Sequence, residues 1–151
     1  MEEARTTVRP FRPIIAVAQT SPRLADVDGN LRHAEAIVAS LAGTAELVVF
    51  PELFTTGYSL EHLDLPELAE PIPDGPSLRR LRRAALEAGV AIVGSIIERD
   101  AGGLFDTAVV IDRHGEVVGR YRKSHLYPAE LDHFQPGAEL AVVVLDGLHL
   151  G

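Results

Sequence analysis

The sequence predicts a layered α/β domain with a mixed β-sheet. Short apolar runs of strand length alternate with two segments of helical spacing, in the order β-α-β-α-β. Two further apolar runs follow, separated by a turn short enough for a hairpin. Alternating strands and helices favour parallel pairing and a hairpin adds antiparallel pairing, so one sheet with both strand directions is expected.

The first part of the chain is predicted to contain two strands and one helix. Residues 14–19 are apolar at successive positions, which is typical of a strand covered on both faces. Asp28-Gly-Asn30 offers capping side chains for a helix whose apolar residues run through residues 31–41, and Gly43 ends it. Residues 47–50 form a second buried strand in this prediction.

The later part of the chain is predicted to contain one long helix and four more strands. Residues 57–76 are rich in proline and acidic residues, so this segment should be irregular with one short helical turn. Pro76 opens a helix that Gly89 closes. The strands are expected at residues 90–97, 107–111, 116–121 and 140–145. The turn at residues 112–115 makes the middle two a hairpin.

Composition and charge exclude several classes of function. The 151 residues are 46% hydrophobic and 24% charged, as in an ordinary globular domain. A net charge of −8 repels phosphates, so nucleic acid is not an expected partner. We interpret the four arginines of the long helix as a solvated outward face rather than a nucleic-acid patch; they are Arg79, Arg80, Arg82 and Arg83.

The sequence contains no recognisable targeting signal and no cysteine. Residues 1–12 form a polar tail without the apolar core of a signal peptide, and no apolar run approaches the roughly 20 residues of a membrane span. The absence of cysteine excludes disulfides and thiolate metal sites, which fits a reducing compartment. We therefore expect a soluble cytoplasmic protein with no membrane partner.

A carboxylate follows the second strand in Phe50-Pro-Glu-Leu-Phe-Thr-Thr-Gly-Tyr58. Catalytic groups of α/β sheets cluster at the carboxyl ends of strands. Glu52 is bordered by Phe50, Leu53 and Phe54, so it should be partly desolvated, which suits a general base. The alternative is a carboxylate on a surface loop, and position alone does not decide between the two.

A second ionisable group follows a strand in Tyr121-Arg-Lys-Ser-His-Leu-Tyr-Pro-Ala-Glu130. Lys123, if held near a carboxylate, could stabilise negative charge that develops on a carbonyl oxygen or an imidate nitrogen. Glu130 could orient Lys123 or help to position substrate. The alternatives are a solvated lysine and an ordinary loop carboxylate.

The sequence gives no sign of a metal or organic cofactor. His125 and His133 lie in the Lys123 segment, but the six histidines show no metal-ligand spacing. There is no phosphate-binding glycine loop, Rossmann fingerprint or Gly-x-Ser-x-Gly elbow. Gly102-Gly103 is interpreted as a turn.

Together and in this order, the landmarks resemble the nitrilase superfamily, the carbon–nitrogen hydrolases. They are a strand ending in Ala18-Gln19, the helix after Asn30, Phe-Pro-Glu, the strand at residues 90–94 and Tyr-Arg-Lys-x-His-Leu. Joint occurrence makes coincidence improbable, which disfavours an unrelated α/β ligand domain. The similarity runs from about Ile14 to Gly151. We therefore expect a tail at residues 1–12 and the N-terminal portion of a carbon–nitrogen hydrolase domain at residues 13–151.

The resemblance implies an α-β-β-α sandwich, incomplete in this chain, in a protein that commonly forms homodimers. By position, Glu52 matches the general base, Lys123 the residue that stabilises the tetrahedral intermediate, and Glu130 the second glutamate of many members. Tyr58 is expected to line the substrate pocket. Asp106 stands where many relatives have asparagine.

The resemblance also implies the chemistry. Members complete a Glu-Lys-Cys triad with a cysteine, which this sequence lacks and which we expect beyond Gly151. The implied function is hydrolysis of non-peptide carbon–nitrogen bonds in small linear amides or nitriles, without a cofactor, and the 151-residue chain by itself should be inactive. The alternative is a truncated, inactive member that binds a small molecule or a partner chain.

Overall fold

A five-stranded mixed sheet organises the fold in the computed structural model, which describes residues 12–151. The tail predicted for residues 1–12 lies outside the described residues except for its last position. The strands are β1 (Ile15–Val17), β2 (Leu47–Val49), β3 (Ala91–Asp100), β4 (Gly103–Ile111) and β5 (Val117–Arg122), and they lie side by side in this order. β1, β2 and β3 are parallel, whereas β4 is antiparallel to β3 and to β5. The predicted mixed sheet is confirmed.

The strand directions bring the carboxyl ends of β2 and β5 to one edge of the sheet. β5 is antiparallel to β4, and β4 is antiparallel to β3, so β5 runs in the same direction as β2. The carboxyl ends of β2, β3 and β5 therefore share an edge with the first residues of β4. The segments that carry Glu52 and Lys123 leave the sheet at this edge.

Two helices cover one face of the sheet. They are α1 (Val27–Ser40) and, after the short α2 (Leu65–Leu68), α3 (Pro76–Ala88). Their buried aliphatic residues pack with sheet residues in one core cluster that includes Leu31, Leu81, Val48 and Ile92. Burial of each such side chain contributes roughly 1.5–3 kcal/mol, so this layer contact is a main source of stability.

The helix ends follow local sequence signals, with one correction. α3 begins at Pro76 and ends before Gly89, which has φ +68°, as predicted. α1, in contrast, is capped by Asp26 and not by residues 28–30, because the Asp26 carboxylate accepts the Gly29 N–H at 3.0 Å. Asp28 then lies in the first turn, where a negative charge favours the helix.

Two of the four arginines of α3 form hydrogen bonds to neighbouring elements, which a fully solvated helix face would not do. Arg80 donates to both carboxylate oxygens of Glu35 on α1, at 2.7 and 2.6 Å. Arg82 donates to the Gly115 carbonyl at 2.7 Å and to Glu116 at 2.9 Å, in the turn before β5. The outward interpretation is therefore wrong for these two residues, which join α3 to neighbouring elements.

Strand β1 differs from its prediction. Only Ile15–Val17 form a strand, and Val17 is 78% exposed, so the expected cover on both faces is wrong for this chain. β1 is an edge strand that pairs with β2 alone, and Ala16 is the strand residue that packs toward the helices. Among residues 12–151, nothing covers the outer side of this strand.

The predicted final strand is also different. Residues 140–142 are irregular and Leu140 is 89% exposed, whereas β6 (Val143–Leu145) and β7 (Leu148–Leu150) form a separate hairpin. Asp146 and Gly147 both have positive φ, as a two-residue hairpin turn requires. Leu145 packs on Leu47 and Ala91, on the sheet face opposite the helices. The described residues thus contain three of the layers that a four-layer sandwich would have.

The hairpin of β3 and β4 is longer than expected. Its turn precedes Gly103, which agrees with the interpretation of Gly102-Gly103, but β4 starts four residues before the predicted residue 107. Asp106 breaks the apolar pattern there, which hid the first part of the strand.

Among residues 12–151, no helix has both the length and the apolar character needed to cross a lipid bilayer.

Candidate active site

Glu52 lies in a tight turn that leaves the carboxyl end of β2. Leu53 has φ +46°, and its N–H donates to the Ser95 hydroxyl on β3 at 2.8 Å. The Gly57 N–H closes the turn by donating to the Leu53 carbonyl at 2.8 Å. The Glu52 side chain is 46% exposed, although Leu53 and Phe54 beside it are buried. The desolvation expected from its neighbours is therefore partial.

Gly94 on β3 makes room for the aromatic pair beneath this turn. The rings of Phe50 and Phe54 stack with centroids 4.6 Å apart. A Cβ on Gly94 would lie 2.6 Å from the Phe54 ring, closer than real side chains approach. Only glycine allows this ring to pack directly on the strand.

We expect Gly94→Ala to destabilise the chain by about 1–3 kcal/mol, because the Phe54 ring must move out of a packed core. Urea unfolding followed by circular dichroism measures the change. Gly102→Ala is the control, because the nearest atom to its Cβ is 3.5 Å away and no backbone strain is introduced. Equal unfolding free energies for the two variants would contradict the proposed close packing.

Lys123 follows β5 directly and is held by its backbone at both sides. Its N–H donates to the Asp106 carbonyl at 2.9 Å, and its carbonyl accepts the Gly137 N–H at 2.9 Å. The Nζ atom donates to Glu52 Oε1 and to Glu130 Oε1, each at 2.8 Å. The structure therefore brings together the three ionisable residues that the sequence singled out.

The charge of Lys123 is set by these two carboxylates. Burial lowers the pKa of Lys123, but the hydrogen bonds to Glu130 and Glu52 outweigh burial and leave the pKa above its usual range. Lys123 is therefore an ammonium at neutral pH and can stabilise a neighbouring oxyanion.

Glu130 is the most enclosed of the three residues. Its side chain is 0% exposed and sits in a 3-10 turn at Pro128–Glu130. The carboxylate accepts hydrogen bonds from Lys123, from the Tyr58 hydroxyl and from the Tyr127 N–H, all at 2.8 Å. Burial alone would raise the pKa of Glu130. These hydrogen bonds outweigh burial, so the pKa is below its ordinary value. Glu130 is therefore a buried, hydrogen-bonded carboxylate and not a solvated one.

Tyr58 is connected to the site by the hydrogen bond from its hydroxyl to Glu130. Burial and the hydrogen bond to Glu130 raise the pKa of Tyr58 to about 12, so its hydroxyl stays protonated as a donor. The ring is 44% exposed and does not line the cavity described below. Its expected contact with substrate stays a prediction.

Asp106 is a site residue that sequence reasoning did not select. Its side chain is 4% exposed, and Oδ2 lies 3.9 Å from Lys123 Nζ. Burial and a hydrogen bond with Glu52 raise the pKa of Asp106 to about 7. The available signal was an acidic residue within an otherwise apolar strand.

A cavity of about 260 Å³ opens beside these groups. Its lining contains both ionisable or hydroxyl side chains and apolar ones. It is lined by Phe50, Glu52, Val93, Gly94, Ser95, Asp106, Ala108, Tyr121 and Lys123. Its size suits a small ligand rather than a drug-sized one.

The comparison with known families decides the relationship. The model of the family described as carbon-nitrogen hydrolase matches residues 14–151. The chain belongs to the carbon–nitrogen hydrolase family. The resemblance drawn from the sequence motifs is thereby confirmed.

Individual relatives agree with this family assignment. The chain is 40% identical over 126 residues to a nitrilase of Pyrococcus abyssi, covering 82% of this chain and 47% of the relative. It is 31% identical over 137 residues to an (R)-stereoselective amidase of Pseudomonas, covering 91% and 49%. A crystal structure of a CN-hydrolase superfamily protein from Xanthomonas campestris superposes with a TM-score of 0.81 at 31% identity, covering 92% of this chain and 52% of that one. This carbon–nitrogen hydrolase chain thus spans about half the length of the relatives it matches.

Cation binding at the carboxylates of this carbon–nitrogen hydrolase chain would compete with Lys123. Oxygen atoms of Glu52, Asp106 and Glu130 all lie within 4.8 Å of one another, as ligands of an ion would. Lys123 Nζ stands 2.8, 3.9 and 2.8 Å from these three residues and already offsets part of their negative charge. A metal ion would have to displace the ammonium.

Proposed function

We propose that this chain contributes the glutamate and lysine of an amide hydrolase that acts on small linear amides, and that its nucleophile is a cysteine outside the 151 residues. The observation that carries the proposal is the Lys123 ammonium, bonded at 2.8 Å to both Glu52 and Glu130 at the edge of the sheet. Membership of the carbon–nitrogen hydrolase family and the likeness to an amidase support the reaction class. The cavity of about 260 Å³ favours a small acyl group.

In this reaction Glu52 is the general base. Its exposed carboxylate takes the thiol proton, and the thiolate attacks the carbonyl carbon of the amide. The carbonyl π electrons move to oxygen, where the Lys123 ammonium stabilises the oxyanion of the tetrahedral intermediate. Collapse breaks the carbon–nitrogen bond, and the amine leaves with the proton held by Glu52. Water, deprotonated by Glu52, then hydrolyses the thioester to the acid and restores the thiol.

Glu130 supports this chemistry without entering the bond changes. Its buried carboxylate fixes Lys123 Nζ at 2.8 Å and is itself fixed by Tyr58 and the Tyr127 N–H. A lysine held at two carboxylates need not reorganise when charge develops on the substrate. Glu130 is therefore a positioning residue in this proposal.

The test is to express the reading frame through its next stop codon downstream of Gly151 and to measure ammonia release from a series of short aliphatic amides and nitriles. We expect release that N-ethylmaleimide abolishes and that Glu52→Gln lowers at least about 100-fold. Glu61→Gln is the matched control, because Glu61 is exposed. Release that is unaffected by Glu52→Gln, or no release from any substrate, would refute the proposal.

A second function is favoured by the lack of cysteine in the 151 residues. The chain by itself would then bind a small carbonyl compound or a partner chain without turnover. Calorimetric titration of the purified 151-residue chain with the same amides tests this function. Saturable binding by a monomer with a cooperative melt supports it, whereas an aggregating chain that binds none of them opposes it.

A further inference from the structure

The buried charges at the site do not balance when every carboxyl is ionised. Three carboxyl groups, those of Glu52, Asp106 and Glu130, surround the single ammonium of Lys123. Uncompensated charge in a largely buried site is costly, so one carboxyl is expected to keep its proton. The question is which of the three holds it.

Burial and hydrogen bonding single out Asp106. Glu130 accepts three hydrogen bonds, including one from Lys123, and these favour its ionised form. Glu52 accepts a hydrogen bond from Lys123 and is 46% exposed to water. Asp106 is 4% exposed, and at 3.9 Å its oxygen is too far from Lys123 Nζ for a hydrogen bond. Asp106 therefore has the least compensation for a negative charge.

The surrounding groups give a protonated Asp106 a clear acceptor. Ser95 lines the same cavity as Asp106, and its hydroxyl oxygen accepts the Leu53 N–H at 2.8 Å. An oxygen of the Glu52 carboxylate lies within 4.8 Å of an Asp106 carboxyl oxygen, and both residues line the same cavity. Two carboxyl groups can share a hydrogen bond only when one of them supplies the proton.

We propose that Asp106 is a positioning residue, whose protonated carboxyl donates a hydrogen bond to Glu52 and holds this carboxylate beside Lys123. The proposal rests on the proposed function of Glu52 as the general base. Loss of the Asp106 proton would put a like charge against Glu52 and remove the donor. Activity should then fall as the pH rises through neutrality. An asparagine at position 106 would supply a donor at every pH.

The titratable groups that face Asp106 come from three other segments. Glu52 follows β2, Tyr121 and Lys123 lie at the end of β5, and Glu130 lies in the 3-10 turn. The pKa of Lys123 is held above its usual range and that of Glu130 below its usual range, so neither group changes charge near neutral pH. Hydrogen bonds with Ser124 lower the pKa of Tyr121 from its ordinary value of 10.0.

The first test needs no activity. Carbon-13 spectra of the side-chain carboxyls in the 151-residue chain should contain an aspartate signal that titrates near pH 7 and is lost in Asp106→Asn. It should persist in Asp132→Asn, because Asp132 is exposed. An Asp106 signal that titrates near its ordinary value of 3.8 would overturn the proposal.

A second readout uses stability. Because folding raises the pKa of Asp106, the unfolded chain releases this proton first as the pH rises. Folded wild type should therefore lose stability between about pH 4 and pH 7, whereas Asp106→Asn should lack this component. We expect the melting temperature of the variant, relative to wild type, to rise by several degrees from pH 5 to pH 8. An unchanged difference would overturn the proposal.

The third readout uses the cysteine-containing protein. Wild-type kcat/KM should fall above about pH 7, Asp106→Asn should remove this fall, and Asp106→Ala should lower activity at every pH. Rescue by asparagine separates positioning from a merely structural role, and identical profiles for wild type and Asp106→Asn would overturn the proposal. If no activity is found but the carboxyl signal titrates as expected, the proposed function fails and the proton assignment stands.

Discussion

Replacing Lys123 with methionine is expected to lower the free energy of unfolding by about 3–5 kcal/mol, the usual cost of removing one partner from a buried ion pair. The substitution keeps an unbranched side chain of similar size but leaves the Glu130 carboxylate, which is 0% exposed, without its counter-ion. Urea unfolding of the 151-residue chain at pH 7 measures the loss.

The pH dependence identifies the cause of this loss. In wild type the lowered pKa of Glu130 contributes stability that is present above its ordinary pKa of 4.5 and is lost as the pH falls through the lowered value. Without Lys123, burial dominates and Glu130 must ionise at a cost, so the difference between wild type and Lys123→Met should grow from pH 5 to pH 7.5. Arg83→Met on the exposed side of α3 is the control and should change stability by less than about 0.5 kcal/mol. A loss that does not vary with pH would point to packing rather than charge.

Replacing Glu98 with alanine should have an effect of similar size, about 3–5 kcal/mol. Glu98 on β3 is 1% exposed and accepts hydrogen bonds from Arg122 at 2.6 and 2.8 Å, from Thr107 at 2.6 Å and from Arg120 at 3.0 Å. Burial alone would raise the pKa of Glu98. The hydrogen bonds from Arg122 and Thr107 outweigh burial and leave the pKa below its ordinary value, so the carboxylate is ionised at neutral pH. Its removal leaves the Arg122 guanidinium, which lies over the Phe105 ring, with only the partly exposed Asp100 as an ion-pair partner among the described residues.

A double variant separates the charge from the volume. Combined Glu98→Leu and Arg122→Met replaces both partners with apolar side chains, and such exchanges are often neutral or stabilising. We therefore expect the double variant to recover most of the stability that Glu98→Leu alone loses. Glu87→Ala on α3 is the control, since Glu87 is exposed and alanine suits a helix. Additive losses in the double variant would show that the pair is not coupled.

Elements with local signals were predictable from the sequence. Helix α3 carries its own start at Pro76, its own stop at Gly89 and a clear apolar spacing, so no distant contact is needed to define it. Strand β1 shows the opposite case. Its apolar run was read as burial, but whether Val17 is covered depends on which segment packs beside the strand, and sequence spacing does not contain this information.

The residues of the site can likewise be divided into those that local sequence predicted and those that depend on distant contacts. Glu52 and Lys123 were selected because each follows a strand, and the parallel direction of β2 and β5 brings them within 2.8 Å. The complete burial of Glu130 was not visible, because it depends on Tyr58 and on a turn that folds back over the strand ends. Asp106 was passed over as a site residue because its significance lies in the arrangement of its neighbours.

The double attachment of Lys123 has a consequence for the motions of the chain. One ammonium joins the turn after β2 to the 3-10 turn at Pro128–Glu130, which are separated by more than seventy residues in sequence. Neither turn can open alone without leaving a carboxylate unpaired, so the two should open as a single cooperative unit. In amide hydrogen exchange, the N–H groups of Leu53 and Tyr127 would then report the same opening free energy, although they belong to different loops.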